Sequence, residues 1–365
     1  MQPDSTSELN KLLANRIAIL DGAMGTTIRE YKLSEEETRG KRFKDNEEDL
    51  KNNGDILSIT RPDVIEDIHR RFLLAGSDIV ETNSFSGTNL AQSEFFVEDP
   101  RKTGGIKDPE FFQDKVIDNQ ELTDLVYELN YESARLTRKA CDDIGSDTGV
   151  KRYSAGAIGP LTVSLTNVVD PNDTSFRPVT FDQVKNDYVR QINALIDGGV
   201  DILMVETIFD ALNAKAALVA CQEVFDERNQ NLPIIVSAAV GRGGETMISA
   251  QKIEALWNAT RHVNPLAIGL NCSLGPDLMR PFVEEIAAKA HTHISVYPNA
   301  GLPNPLAPTG FDLEPHHMGE HTKDFAENSF INLMGGCCGN TPEHIKAIAE
   351  AARGIAPRVV PTLKS

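Results

Sequence analysis

Cys337 and Cys338 are adjacent in the run NLMGGCCGNTPEHI and are bracketed by Gly335, Gly336 and Gly339. A third cysteine, Cys272, closes the run LAIGLNCS. Three converging thiolates match a zinc ion with three protein ligands and one open position. Neighbours on a regular strand point to opposite faces, so Cys337 and Cys338 can share an ion only if the backbone turns sharply between them. Glycines on both sides permit the dihedrals such a turn needs. Three thiolates against the two charges of zinc leave a centre of about −1, a poor Lewis acid for water. It suits a substrate thiol, which loses its proton on coordination. A free thiol, with a pKa of about 8.5, is only a few per cent thiolate at neutral pH. The implied chemistry is attack by a sulfur nucleophile on an activated methyl or alkyl carbon. The competing readings are a vicinal disulfide or buried, inert thiols. Cys141 and Cys221 lie in helical stretches and read as packing residues.

The elements that must position these thiols are legible as short apolar runs ending in polar residues. They are RIAILDGA, DIVETNSF, YSAGAIGP, DILMVETI, PIIVSAAV, LAIGLNCS, ISVYPNAG and FINLMGGCC. Continuous apolar runs of this length indicate strands buried on both faces of a parallel sheet. Helical stretches separate them. RPDVIEDIHRRFLLAG aligns Ile65, Ile68, Phe72 and Leu73 on one face, and TPEHIKAIAEAARGI opens on Thr341 and Pro342. Eight such units predict an α/β fold, a (β/α)8 TIM barrel with a zinc site at the C-terminal ends of strands six and eight. A doubly wound open sheet is the runner-up.

Active sites of such barrels sit at the C-terminal strand ends. Here those ends carry Asp21, Glu81 with Asn83, Gly159, Glu206, Asn271 with Cys272, Asn299, and the cysteine pair. Two connections are long. The one after strand one is dense in charge, and RKTGGIKDP, in the one after strand two, reads as an exposed, disordered loop.

Composition narrows the partners. A net charge of −18 over 365 residues disfavours nucleic acid and anionic membranes. The N-terminal stretch lacks the basic start and apolar run of a signal peptide, and no apolar stretch would span a bilayer. Five cysteines, an odd number and few for the length, suggest reduced thiols in the cytoplasm. HHMGEH contains the inverted zinc-protease spacing His317, Glu320, His321, but Gly319 at its centre weakens the helix that chemistry needs. His344 reads as an exposed first-turn residue. Loops after strands seven and eight often bind phosphate, yet no strand-end Lys or Arg accompanies them.

The runs ILDGAMGT, DIVETNSF, AGAIGP, VETIFDALNAKAA, GLNCSLGP, YPNAGLPN and GGCCGNTPEHI resemble the homocysteine-binding domain of cobalamin-dependent methionine synthase. More broadly, they resemble the zinc-dependent homocysteine S-methyltransferases, from about residue 17 to residue 357. The resemblance implies a methyltransferase of methionine biosynthesis whose catalytic zinc is held by Cys272, Cys337 and Cys338. It implies that Asp21 and Glu206 receive the homocysteine ammonium. The amides of Gly22, Ala23 and the residues on to Thr26 would hold its carboxylate. Asn299 would occupy the fourth zinc position when substrate is absent. The spelling departs from that branch at Ala23, in GPLTVSL and in GRGGETMISAQ, all at the pocket rim.

The methyl donor implied is methylcobalamin on another domain or protein, with folate- and cobalamin-binding domains as partners. The cobalamin-ligating spacing Asp-x-His-x-x-Gly is approached only by DIHRRF, where Phe72 takes the glycine position. Residues 1–357 would form the barrel and 358–365 a tail or linker, either of a stand-alone module or of a piece of a longer enzyme. The alternatives are a self-contained methyltransferase using S-methylmethionine or betaine, and a non-catalytic thiol-binding or redox module.

Overall fold

The computed structural model describes residues 4–362. The apolar runs form eight strands: β1 Ala18–Ile19, β2 Ile79–Glu81, β3 Tyr153–Ile158, β4 Ile202–Ile208, β5 Ile234–Ala238, β6 Ala267–Asn271, β7 His293–Tyr297 and β8 Leu333–Met334. From β2 to β8 each strand pairs in parallel with its neighbour in sequence, and β1 pairs with β8. A parallel bridge between Leu20 and Ile79 closes the circle. The expected (β/α)8 barrel is therefore present, with β1 and β8 shorter than their apolar runs suggest.

Helices return the chain between strands. Pro62–Ala75 buries Ile65, Ile68, Phe72 and Leu73 as its periodicity demands. Phe181–Gly198 starts on a reciprocal Thr180–Gln183 capping box and ends on left-handed Gly199. Asp210 opens Ala211–Arg228 and also accepts hydrogen bonds from Ser164 and Thr166, tying the β3 loop to the end of β4. Inside the barrel, Leu20, Ile79, Ala155, Ile202, Met204, Ile235, Ala267 and Leu333 form one cluster with Leu9 and Leu13. The N-terminal helix Thr6–Asn15 thus plugs the floor.

The charged loop after β1 folds on itself: helix Glu35–Arg39 carries a Ser34–Glu37 capping box, and Glu35 accepts the amides of Leu50 and Lys51. Three local expectations change. RKTGGIKDP is exposed but not disordered, since Asp99 caps a 3-10 turn at Pro100–Thr103 and Lys107 pairs with Glu94. Helix Pro315–Glu327 runs through Gly319, where the neighbouring helix packs so closely that a Cβ would lie 3.3 Å from the Ala347 carbonyl oxygen. His344 is buried rather than exposed. Its ring caps Thr341 and bonds the Leu313 carbonyl.

The segment from 358 onward begins with a buried arginine. The Arg358 guanidinium donates to the carbonyls of Ala287, Ala290 and Thr292 on the barrel floor. Its own amide bonds Ile331 and its carbonyl accepts from Asn332. Two of those acceptors lie at the C-terminal end of helix Pro276–Lys289, where a cation meets the negative end of the helix dipole.

Candidate active site

Cys272 and Ser273 leave β6 with φ of 58° and 56°. Two consecutive non-glycine residues in the left-handed region are uncommon and mark a backbone held by its surroundings. After β8 the chain turns through Gly335 to Gly339 with every step bonded to a neighbour. The Gly336 amide donates to the Asp21 carbonyl, Cys337 to Pro298 and Gly339 to Thr26 Oγ1, while Ala300 donates to the Cys338 carbonyl. Of the flanking glycines only Gly339 has positive φ, at 82°. Gly335 and Gly336 serve a different purpose from the one expected. A Cβ on Gly336 would lie 2.3 Å from Asn340 Cγ, and one on Gly335 would lie 2.7 Å from Leu20 Cβ. They are needed for close approach, and the turn between the thiols comes from the surrounding hydrogen bonds.

The three sulfurs of Cys272, Cys337 and Cys338 lie within 4.8 Å of one another. Those of Cys272 and Cys338 are 3.9 Å apart, against ~3.8 Å for thiolates sharing a tetrahedral zinc with Zn–S of about 2.3 Å. Hydrogen bonds from Cys272 and Cys337 hold the Cys338 thiol down, to about 3. Hydrogen bonding to Cys272 pushes Cys337 up. Three thiols sharing one negative charge are a donor set that a soft cation fits. Among the described residues this is the one group of His, Cys, Asp and Glu close enough to hold a metal. His317, Glu320 and His321 do not form one, and Cys141 and Cys221 are buried in the helix layer. Burial pushes the Cys221 thiol up to about 12.

Beside the sulfurs lie Asp21, Glu81 and Glu206. Asp21 lies two residues past β1 and accepts the Glu81 amide at 3.0 Å. Glu206 sits in β4 where the register shifts between Val205 and Ile208, followed by Thr207 at φ 53°. This bulge re-aims the strand end next to the site. Burial pushes the Glu81 carboxyl up to about 7, offset in part by a hydrogen bond with Glu206. Burial, then the charge of Glu81, raises Asp21 well above the carboxylate range. Burial, then Glu81, Asp21 and Cys272, does the same to Glu206. Oδ1 of Asp21 and Oε1 of Glu206 are buried and have no hydrogen-bond partner, as is Oδ1 of Asn299. Buried acceptors without donors are costly, and a cationic donor would satisfy them.

The candidate carboxylate cradle is partly spoken for. The Ala23 amide donates to the Asn340 carbonyl. The amides of Met24, Gly25 and Thr26 start helix Met24–Glu30 and have no acceptor within it. Gly22 has no room for a side chain, because a Cβ would lie 2.7 Å from the Phe72 ring. Asn83 braces a loop, donating to the Gly54 carbonyl and to Ser58.

Sequence reasoning gave no role to Asn340, Asn271 or Tyr297. Asn340 donates to the carbonyls of Pro298 and Cys337, tying β7 to the cysteine turn. Tyr297 is buried and its carbonyl accepts the Cys272 amide; burial and then the charges of Glu206 and Glu81 push its phenol up. Their signal was adjacency to strand-end motifs, which does not tell a brace from a ligand.

The loops at the mouth of the barrel expose several large apolar side chains. Phe85 after β2, Val168 and Val169 after β3, Met247 after β5, and Leu302 and Leu306 after β7 are all exposed. A cleft lined by Ile158, Pro160, Val163, Phe209 and Ile248 opens beside Glu206. Among the described residues, no helix is long and apolar enough to cross a membrane.

Residues 18–352 match the family of homocysteine S-methyltransferases. The metallated form of the homocysteine methyltransferase MmuM from Escherichia coli superposes with a TM-score of 0.64 at 17% identity, covering 95% of this chain and 99% of that one. The oxidized form of the same protein gives 0.62 at 17% identity, covering 92% and 95%. At these identities the likeness speaks for the fold.

Proposed function

The chain belongs to the homocysteine S-methyltransferase family, and from that premise we propose that it methylates homocysteine to methionine with a donor carried by another protein or domain. The observation that carries the site assignment is the juxtaposition of three sulfurs with the carboxyls of Asp21, Glu81 and Glu206, of which Asp21 and Glu206 each keep a buried oxygen without a partner. Zinc held by Cys272, Cys337 and Cys338 would supply positive charge and an open position at which a substrate thiol gives up its proton.

The remaining work falls to the chain's own side chains. Asp21 and Glu206, with Glu81 behind them, receive the substrate ammonium, which relieves their mutual repulsion. First-turn amides of helix Met24–Glu30 face the substrate carboxylate. Asn299, its Oδ1 unpartnered, stands beside the cysteine turn and would be the side chain that substrate sulfur replaces at the ion. That sulfur then attacks the donor methyl carbon, and the bonding pair leaves with the donor. Held at both ends, homocysteine presents its sulfur in one orientation, which lowers the entropic part of the barrier.

The apolar mouth supports a macromolecular donor, and methylcobalamin bound to a partner is the chemistry we assign. Phe85, Val168, Val169, Met247, Leu302 and Leu306, on the loops after β2, β3, β5 and β7, expose apolar surface that a small polar donor would not need. A cytosolic setting would keep the thiols reduced. The test is turnover by the isolated chain with zinc, homocysteine and either methylcobalamin or a small donor. Methionine formed from methylcobalamin supports the assignment. Efficient turnover with S-methylmethionine or betaine, and none with methylcobalamin, overturns it.

A further inference from the structure

Asn271 is fully buried at the end of β6, one residue before Cys272. Its Oδ1 accepts the Thr207 amide at 3.1 Å and the Ser237 hydroxyl at 2.7 Å. Because a backbone N–H must meet an acceptor, the amide group has only one orientation. Nδ2 therefore faces the other way, donating to Thr207 Oγ1 at 2.7 Å and reaching Cys337 Sγ at 4.0 Å, the outer range for an N–H to sulfur contact. One side chain thus touches the bulge that follows Glu206, the interior of β5 and a sulfur of the cysteine cluster.

We infer that Asn271 is a positioning residue that couples the ammonium-binding end of the pocket to the metal-binding end. It does so in two separable ways. Toward Glu206, it pins Thr207, whose positive φ turns the strand end inward. Toward the cysteines, it donates an N–H to Cys337, drawing electron density from that sulfur. A thiolate accepting a hydrogen bond gives less charge to the metal, and such outer contacts change metal affinity by about 10- to 100-fold when removed. Thr207 and Ser237 have no sulfur contact, so this second role belongs to the Nδ2 group.

The inference rests on the metal-thiolate reading of the cysteines, and Asn271→Asp separates the two roles. Aspartate keeps an acceptor for the Thr207 amide and Ser237, and Thr207 Oγ1 can donate to it, so the bulge survives. The N–H toward Cys337 is lost. Expected are a zinc affinity changed at least ~10-fold by chelator competition and a displaced sulfur-to-metal charge-transfer band in the cobalt-substituted protein. Thr207→Ala should do the reverse, raising the homocysteine KM while leaving the band in place. Wild-type affinity and an unmoved band in Asn271→Asp overturn the coupling, as does a Thr207→Ala variant with an unchanged KM. Wild-type protein that binds no metal would instead defeat the metal reading itself. Asn271→Asp is compared with wild type by circular dichroism, and if it fails to fold, Asn271→Ser replaces it for the same two measurements.

Discussion

Cys272 and Cys338 hold their sulfur atoms 3.9 Å apart across 66 positions of sequence. That separation is nearly twice the ~2.05 Å of a disulfide and fits two ligands of one ion. Protein purified under reducing conditions is expected to carry close to one zinc per chain. Cys272→Ala should lower this to under a tenth while circular dichroism stays unchanged, because the barrel core is built without the thiols. Metal analysis decides it, and stoichiometric zinc in Cys272→Ala would rule out the site.

Glu206→Gln keeps the size and the hydrogen-bonding oxygen but removes the charge opposite the ammonium. A hydrogen bond to a charged group contributes about 1.5–3 kcal/mol, so homocysteine affinity should fall by ~10- to 100-fold. Zinc content should stay at the wild-type level. Calorimetric titration with homocysteine measures the first and metal analysis the second. Loss of zinc together with affinity would place Glu206 in the metal shell instead.

Asp55 provides a pH dependence away from the thiols. It is buried, accepts the Ser86 amide at 2.6 Å, and burial pushes its carboxyl up to about 7. In the unfolded chain the same group ionises near 3.9. As pH rises through that value the unfolded state loses its proton first, so this contribution to stability is full at low pH. It declines from about pH 4 to about pH 7 and is flat above. Asn keeps an acceptor for Ser86 and removes the titration. The melting temperature of Asp55→Asn should therefore exceed wild type at pH 8 and approach it near pH 4. A difference between the two proteins that does not vary with pH would contradict the burial argument.

Arg358 tests where the barrel ends. Its side chain satisfies the carbonyls of Ala287, Ala290 and Thr292 from within the floor. Arg358→Ala should cost about 2 kcal/mol or more in urea unfolding, since it strands buried acceptors. Removing residues 359–365 should change stability by less than about 0.5 kcal/mol, because Val359 is 85% exposed. Equal effects from both changes would mean that the floor does not depend on the arginine.

Much of this was legible before any coordinates. The eight apolar runs end in polar residues because parallel strands buried on both faces show polar groups only where they emerge. That rule located Asp21, Glu206, Asn299 and all three site cysteines. It did not reveal that Asp21, Glu81 and Glu206 share one buried space. Nor did it show that Ala23 spends its amide on Asn340. Both are contacts between elements far apart in the chain. Gly319 and His344 were misread for a related reason: local propensity argued for a weak helix and an exposed ring, but packing against Ala347 and Leu313 overrode it.

By itself the sequence determined the barrel and singled out the three cysteines at its strand ends, since strand periodicity and residue type are local properties. Only the tertiary structure decided how the backbone turns so that three thiols meet. The glycines beside Cys337 looked like sources of conformational freedom. Two of them are spaces cut to fit Leu20 and Asn340, and the turn is imposed by the hydrogen bonds its amides donate to the carbonyls of Asp21 and Pro298, just past β1 and β7. The physical reason is that a φ angle can be permitted locally but is chosen by contacts made across the fold.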